Sequence, residues 1–283
     1  MKSQSFMDTL MGLDKGPNPP QTPPVALSIG GSDSGGGAGI QADIKTFSAL
    51  KVHGTTAITL LTAQNTRGVQ GIHPLPPHVV RAQLESLRGD LPAAATKTGA
   101  LGNIKMMAML VEWFEENKVK NLVVDPVMVS KHGDPLMDEP SQAFLRDRLL
   151  EHALLVTPNH FEAQAMTHRD VGDLASMKEA AKRIFDRGPK YVLIKGSHLD
   201  KIVRDLVYDG KDFVEFGADR IRTTRLHGSG CTFSAAITAR LAHGDSLLHA
   251  IDAARTFITK AIDRAPALGG GVAPVNPMFD VWD

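Results

Sequence analysis

Val25-Ala26-Leu27-Ser28-Ile29-Gly30-Gly31-Ser32-Asp33-Ser34-Gly35-Gly36-Gly37-Ala38-Gly39-Ile40-Gln41-Ala42-Asp43 runs from an apolar segment through a glycine-rich one into a mixed apolar and polar one. Val25 to Ile29 predicts a short buried strand, and a helix is expected from about Gly39 to Leu50. Glycines between a strand and a helix let the backbone approach a ligand closely, and the helix N-terminus suits an anion. A P-loop is excluded: Gly31 and Gly36 have its spacing, but Gly37-Ala38 stands where Lys-Ser/Thr is required. Gly37 to Ala42 satisfies the loose dinucleotide fingerprint, which also needs an acid about 20 residues on for the ribose. After Asp43 the next acid is Glu85, so a dinucleotide site fails there.

Outward from this segment, apolar runs alternate with helical patterns. A β-rich stretch is expected at Thr55–Gln64 and an amphipathic helix over 77–89, with Val80, Leu84 and Leu87 on one face. A strand at 94–98 leads into a helix in which Ile104, Met107, Val111 and Phe114 recur at helical spacing. Strand Leu122–Val124, helix 140–151, strand Leu154–Thr157, helices near 160–168 and 173–187 and strand Tyr191–Ile194 follow. A hairpin brackets Asp209-Gly210, and helices at about 230–243 and 246–264 finish the chain. Such alternation predicts an α/β fold with a mainly parallel sheet covered on both faces. The Pro-rich residues 1–24 are expected to be a disordered leader, leaving 25–283 as one domain.

Composition narrows the function classes. Lys+Arg and Asp+Glu number 31 each in 283 residues, and no basic stripe is present, so no nucleic-acid partner is expected. No apolar run approaches the roughly 18 residues that span a bilayer, so no membrane partner is expected either. The single cysteine, Cys231, allows no internal disulfide, and a cytoplasmic enzyme is the expectation.

The remaining polar and glycine motifs fall where the predicted strands end, the edge at which α/β folds bind ligands. His227-Gly228-Ser229-Gly230-Cys231 opens a helix of small residues, where backbone N–H groups can cradle charge on a transferring phosphoryl group. Cys231 falls in the first turn, where the helix dipole is expected to lower its pKa; the bland alternative is a small buried hydrophobe. In Thr157-Pro158-Asn159-His160-Phe161-Glu162, Asn159 and Glu162 are oxygen ligands spaced for Mg2+, or equally an N-cap with its capping-box Glu. Asp125-Pro126-Val127-Met128 and Lys195-Gly196-Ser197-His198 add an acid and a base, each also readable as a surface turn. Met106, Met107 and Met109 are expected to fill core.

Taken together, these segments resemble the hydroxymethylpyrimidine/phosphomethylpyrimidine kinases of the ribokinase-like superfamily. The resemblance covers residues 25 to 276 and rests on Ile29–Asp43, Ala63–Gln70, Asp125–Met128 with Lys131 and Gly133–Leu136, Thr157–Asn159 with Glu162, and His227–Ala236, five separated motifs in the right order. It implies a three-layer αβα sandwich and two successive ATP-dependent phosphorylations in thiamin synthesis, of a hydroxymethyl group and then of the resulting phosphate. It assigns the pyrimidine alcohol to Gly31, Asp43, Gln64, Val127 and Cys231, Mg2+–ATP to Asn159 and Glu162, and the anion hole to Gly228–Gly230. To these we add Ala100 as a pocket wall, Lys195 for ATP, Asp125 for the metal, and a homodimer as the expected assembly. Ala100 stands where the family commonly shows Met, and His132 and Ser229 also depart from the pattern. Pyridoxal kinases share most of these glycine motifs and form the nearest rival; a non-catalytic nucleotide-binding module and an NAD(P) oxidoreductase are weaker ones.

Overall fold

The structure, a computed structural model, describes residues 22–128, 136–196, 202–219 and 221–281. The predicted leader up to residue 21, Lys131 to Pro135 and Ser197-His198 lie outside the described residues.

Among the described residues, nine strands form one sheet in the order β3-β2-β1-β4-β5-β6-β7-β8-β9. They are β1 Val25–Asp33, β2 His53–Asn65, β3 Gly68–Pro74, β4 Ala95–Thr98, β5 Leu122–Val124, β6 Leu155–Val156, β7 Tyr191–Ile194, β8 Ile202–Tyr208 and β9 Phe213–Asp219. The six strands from β2 to β7 are parallel, and β3, β8 and β9 add antiparallel margins. Between β1 and β4 the winding direction changes, which opens a crevice at the strands' carboxyl ends.

Alternate residues of each strand face opposite layers. Leu27, Ile29, Val124, Val156, Val192 and Ile194 pack on one side against α2 Pro77–Asp90, α3 Ile104–Asn117, α5 His160–Thr167 and α6 Leu174–Phe185. Ala26, Ala95, Val123, Leu155 and Leu193 pack on the other against α1 Gly39–Ala49, α7 Ser229–Ala242 and α8 Leu247–Asp263. The predicted αβα layering is therefore observed. The small side chains of α7, among them Ala235, Ala236 and Ala239, are fully buried and bring that helix close to the sheet. Met106, Met107 and Met109 are core residues, as expected.

Three local expectations change. The first strand runs past Ile29 to Asp33, because the glycines still pair with β2 across a register shift between Gly30 and Ser32. The edge strand β3 was not expected: Gly68-Val69-Gln70-Gly71-Ile72-His73-Pro74 is largely exposed, and an exposed edge carries no strong apolar pattern. The helix expected at 140–151 is α4 Glu139–Phe144, followed by one π-helical turn, Leu145–Leu149, and a 3₁₀ turn, Leu150–His152. The wider turn lets Leu145, Leu149 and Leu150 all enter the core.

Candidate active site

A cleft of about 930 Å3, counting its open mouth, lies over the crevice between β1 and β4. Its lining includes every site residue expected from the sequence: Gly31, Asp43, Gln64, Ala100, Asp125, Val127, Asn159, Glu162, Lys195, Gly228, Ser229, Gly230 and Cys231. Residues from six strand ends and two helix N-termini thus meet in one place.

Asp33 organises the first loop. Its carboxylate accepts from the backbone N–H of Gly35 (2.8 Å), Gly37 (3.1 Å) and Ala38 (2.8 Å). The loop is crowded, so glycine is required at two contacts. A Cβ on Gly39, whose φ is +57°, would fall 2.3 Å from Gly31 O. One on Gly228, with φ +73°, would fall 1.8 Å from Gly37 O. Gly228 is the N-cap of α7, so the two glycine-rich loops meet backbone to backbone. His227 locks the same junction, with Nε2 2.9 Å from Asp33 Oδ2.

On the opposite side, Lys195 Nζ donates to Asp125 Oδ1 at 2.9 Å and lies 3.9 Å from Glu162 Oε2. Thr157 and Ser234 also donate to the buried Asp125 carboxylate. Burial opposes the charge on Lys195, but Asp125 and Glu162 hold it well above the ordinary lysine value. Asp125 is correspondingly lowered: burial works to raise it, and Lys195 and Lys97 prevail. Asn159 and Glu162 form a complete capping box on α5, with Asn159 Oδ1 accepting from Glu162 N (2.9 Å) and Glu162 Oε2 from Asn159 N (2.7 Å). The capping alternative is therefore real, and it leaves both side chains at the cleft wall.

Two groups were not singled out in the sequence. Lys97 is fully buried in β4, and its Nζ donates to Asp43 Oδ1 at 2.7 Å while Ser28 Oγ donates to Oδ2 at 2.6 Å. A lysine inside a short strand that is buried throughout was the available signal. Burial works to neutralise Lys97, and the Asp43 and Asp125 carboxylates keep it an ammonium. Burial pushes Asp43 upward against Lys97 and Ser28. The other group is the Asp33–His227 pair.

The expectation for Cys231 is corrected. Burial pushes its thiol up to about 11; Asp43 and Asp125 add to the rise, and Lys97 and the Gly39 N–H oppose it. Desolvation with two facing carboxylates outweighs the start of a helix, so the resting group is a thiol. Gly230 also has a more specific reason than room for a ligand: a Cβ there would sit 3.3 Å from Lys195 Nζ.

Gln64 lines the cleft with its Oε1 accepting from Thr62 Oγ1 (3.1 Å) and its Nε2 3.5 Å from His227 Nε2. Val127 and Ala100 are half-buried at the wall. Among the described residues, no group of three His, Cys, Asp or Glu side chains is placed to hold a metal ion. Lys195 bridges the Asp125 and Glu162 carboxylates; Mg2+ usually keeps water and phosphate oxygens in its shell and needs few protein ligands.

An αβα sandwich with a glycine-lined cleft at its switch point, beside a buried Lys–Asp pair, is the arrangement of a ribokinase-like small-molecule kinase. The family model described as phosphomethylpyrimidine kinase matches residues 33–276, and the chain belongs to that family. It is 42% identical to the hydroxymethylpyrimidine/phosphomethylpyrimidine kinase of Bacillus subtilis, covering 89% of this chain and 93% of that one. It is 46% identical to the thiamine biosynthesis bifunctional protein ThiED of Geobacter sulfurreducens over 91% of this chain, which spans about half (53%) of that longer protein. Among solved structures, an ADP complex of Bacillus subtilis pyridoxal kinase superposes with a TM-score of 0.86 at 36% identity, covering 93% of this chain and 100% of that one. A phosphomethylpyrimidine kinase from Clostridium difficile gives 0.76 at 38% identity, covering 84% and 99%.

Proposed function

We propose that this protein phosphorylates 4-amino-5-hydroxymethyl-2-methylpyrimidine with ATP, and then its monophosphate, in thiamin biosynthesis. The observation that carries the reading is the convergence of two chemically distinct halves on the N-terminus of α7. One half (Gln64, Asp43, Ala100, Val127, Gly31) suits a polar heteroaromatic ring; the other (Lys195, Asn159, Asp125, Glu162) suits nucleotide phosphates.

In this reading the ring lies against Val127 and Ala100, with the Gln64 amide on an aminopyrimidine edge. Cys231 and Asp43 face the hydroxymethyl group. With its thiol pushed up to about 11, Cys231 keeps its proton at neutral pH and in this reading positions the substrate hydroxyl rather than acting as its base. Lys195 neutralises phosphate charge, and the first-turn N–H groups of Gly228–Gly230 receive the transferring phosphoryl group. Mg2+ would be held by Asp125 and Glu162 together with phosphate oxygens and water, and when bound it would neutralise charge on the nucleotide. Single-domain organisation, a cytoplasmic location and a homodimer belong to the same proposal, and light scattering tests the last.

The pyridoxal kinase neighbours favour a second reading, in which a pyridine alcohol is the substrate or a second substrate. The two differ in hydrogen bonding. A site that bonds a polar group rejects analogues lacking it, whereas an apolar size change such as Ala100 is worth only about 1–3 kcal/mol. We therefore expect kcat/KM for the pyrimidine alcohol to exceed that for pyridoxal at least about tenfold, or ~1.4 kcal/mol. Gln64→Leu narrows the gap, and Ala100→Met lowers any pyridoxal turnover. ADP release measured with both alcohols decides, and equal or reversed efficiencies would assign the protein to pyridoxal phosphorylation.

A further inference from the structure

Lys195 stands just past the last residue of β7, where the sheet opens. Val192, Leu193 and Ile194 pair antiparallel with Tyr208, Val207 and Leu206, and in that register Asp205 comes opposite Lys195. There the ladder is replaced by a side chain: Asp205 Oδ1 accepts the backbone N–H of Gly196, the residue after Lys195, at 2.5 Å. The other oxygen, Oδ2, accepts from Arg255 Nε of α8 at 2.8 Å. Asp205 is buried, and the Arg255 guanidinium lies 5.2 Å from the centre of the Phe216 ring of β9. On the near side, Lys195 N donates to Pro158 O at 2.8 Å, next to Asn159. The peptide carrying Lys195 is thus held from both sides.

Sheet cohesion alone does not need this arrangement. A strand margin is closed by ordinary backbone pairing, without a buried carboxylate and a guanidinium brought from a helix. A buried charge is retained only where it is paired, and here its partner lies outside the cleft while its remaining bond is to the catalytic-side peptide. Neither Asp205 nor Arg255 lines the cleft.

We propose that Asp205 and Arg255 are positioning residues that set Lys195 at the height where its ammonium meets the nucleotide phosphates. This rests on the reading of Lys195 as a nucleotide-binding group. Without the Arg255–Asp205 link the Gly196 peptide shifts, and Lys195 moves relative to Asp125 and Glu162. The consequence falls on ATP and not on the alcohol, whose half of the cleft is built by other elements.

The experiment compares Arg255→Ala, Arg255→Lys, Asp205→Ala and Lys195→Ala by steady-state kinetics, varying ATP and the alcohol separately, with a thermal midpoint for each. Misplacing a binding group from outside the chemistry can cost up to about a hundredfold. We expect the KM for ATP to rise about tenfold or more in Arg255→Ala and Asp205→Ala, the KM for the alcohol to stay within about twofold, and Arg255→Lys to recover most of the loss. Arg255→Ala carries the test by itself if Asp205→Ala does not fold. A folded Arg255→Ala with an unchanged ATP KM, or ATP and alcohol KM values rising together, would overturn the proposal. Lys195→Ala separates the two layers. If it too leaves the ATP KM unchanged, the nucleotide role of Lys195 is wrong; if it raises that KM while Arg255→Ala does not, only the positioning role is wrong.

Discussion

His227 Nε2 lies 2.9 Å from Asp33 Oδ2, joining residues 194 positions apart at the contact between the two glycine-rich loops. The backbone of His227 is tied as well: its N–H donates to Ala273 O, and its carbonyl accepts from Val275 N. Asp33 in turn accepts three N–H groups of its own loop. One buried pair therefore sets how the two glycine-rich loops face each other.

That pair gives the stability of the protein an acid limit. Burial works to raise the Asp33 carboxyl, but His227 and the N–H groups of Gly35 and Ala38 hold it below its ordinary value of 3.8. A carboxyl lowered on folding stabilises the folded state above its unfolded pKa, and that contribution is lost as pH falls through the folded value. Thermal midpoints should be level near neutrality and fall below about pH 4. Asp33→Asn should lower the neutral midpoint and flatten this acid slope, and an unchanged slope would remove Asp33 from the account.

Gly228 and Gly230 should fail in different ways. A methyl at 228 would meet backbone, Gly37 O at 1.8 Å, in a left-handed conformation; at 230 its closest contact would be the side-chain tip of Lys195, at 3.3 Å. Gly228→Ala should therefore lower the thermal midpoint by many degrees. Gly230→Val should stay folded and lose about 10²–10³ in kcat, the usual cost of spoiling an anion-hole donor. Thermal scans beside turnover assays check both, and near-normal turnover of Gly230→Val would sink the phosphoryl-binding role.

Cys231 is the only cysteine, so alkylation reads it alone. With the thiol pushed up to about 11, the iodoacetamide rate should still be climbing at pH 10. Asp43→Asn removes one of the facing carboxylates and should lower that midpoint. If Cys231 positions the hydroxyl, Cys231→Ser should keep kcat within about tenfold, whereas loss of a general base costs about 10²–10⁴. A midpoint near 7 together with the larger loss would restore the base role.

Glu162 serves as a helix cap whatever else it does. Glu162→Gln keeps an acceptor for the Asn159 N–H and removes the charge, so the fold should hold while the Mg2+ concentration for half-activity rises several-fold. An identical Mg2+ curve would leave Glu162 with capping as its whole role.

The sequence by itself determined the alternation of strands and helices and both glycine-rich loops; most of the thirteen residues expected in the site came from the family resemblance that its motifs carry, and all of them line the cleft. Those features are local: hydrophobic periodicity, a helix cap and a glycine loop are each written within a dozen neighbouring residues. Only the tertiary structure decided what depends on distant partners. Lys97 reaches Asp43 from 54 positions away, His227 reaches Asp33, and Asp205 meets the Gly196 peptide through the pairing of β7 with β8. The edge strand β3 is defined by its pairing with β2 rather than by any pattern of its own. The thiol of Cys231 makes the distinction sharpest. Its place at the start of a helix was legible and argued for a lowered pKa, but desolvation and the approach of Asp43 and Asp125 exist only in the folded chain, and together they reverse the sign.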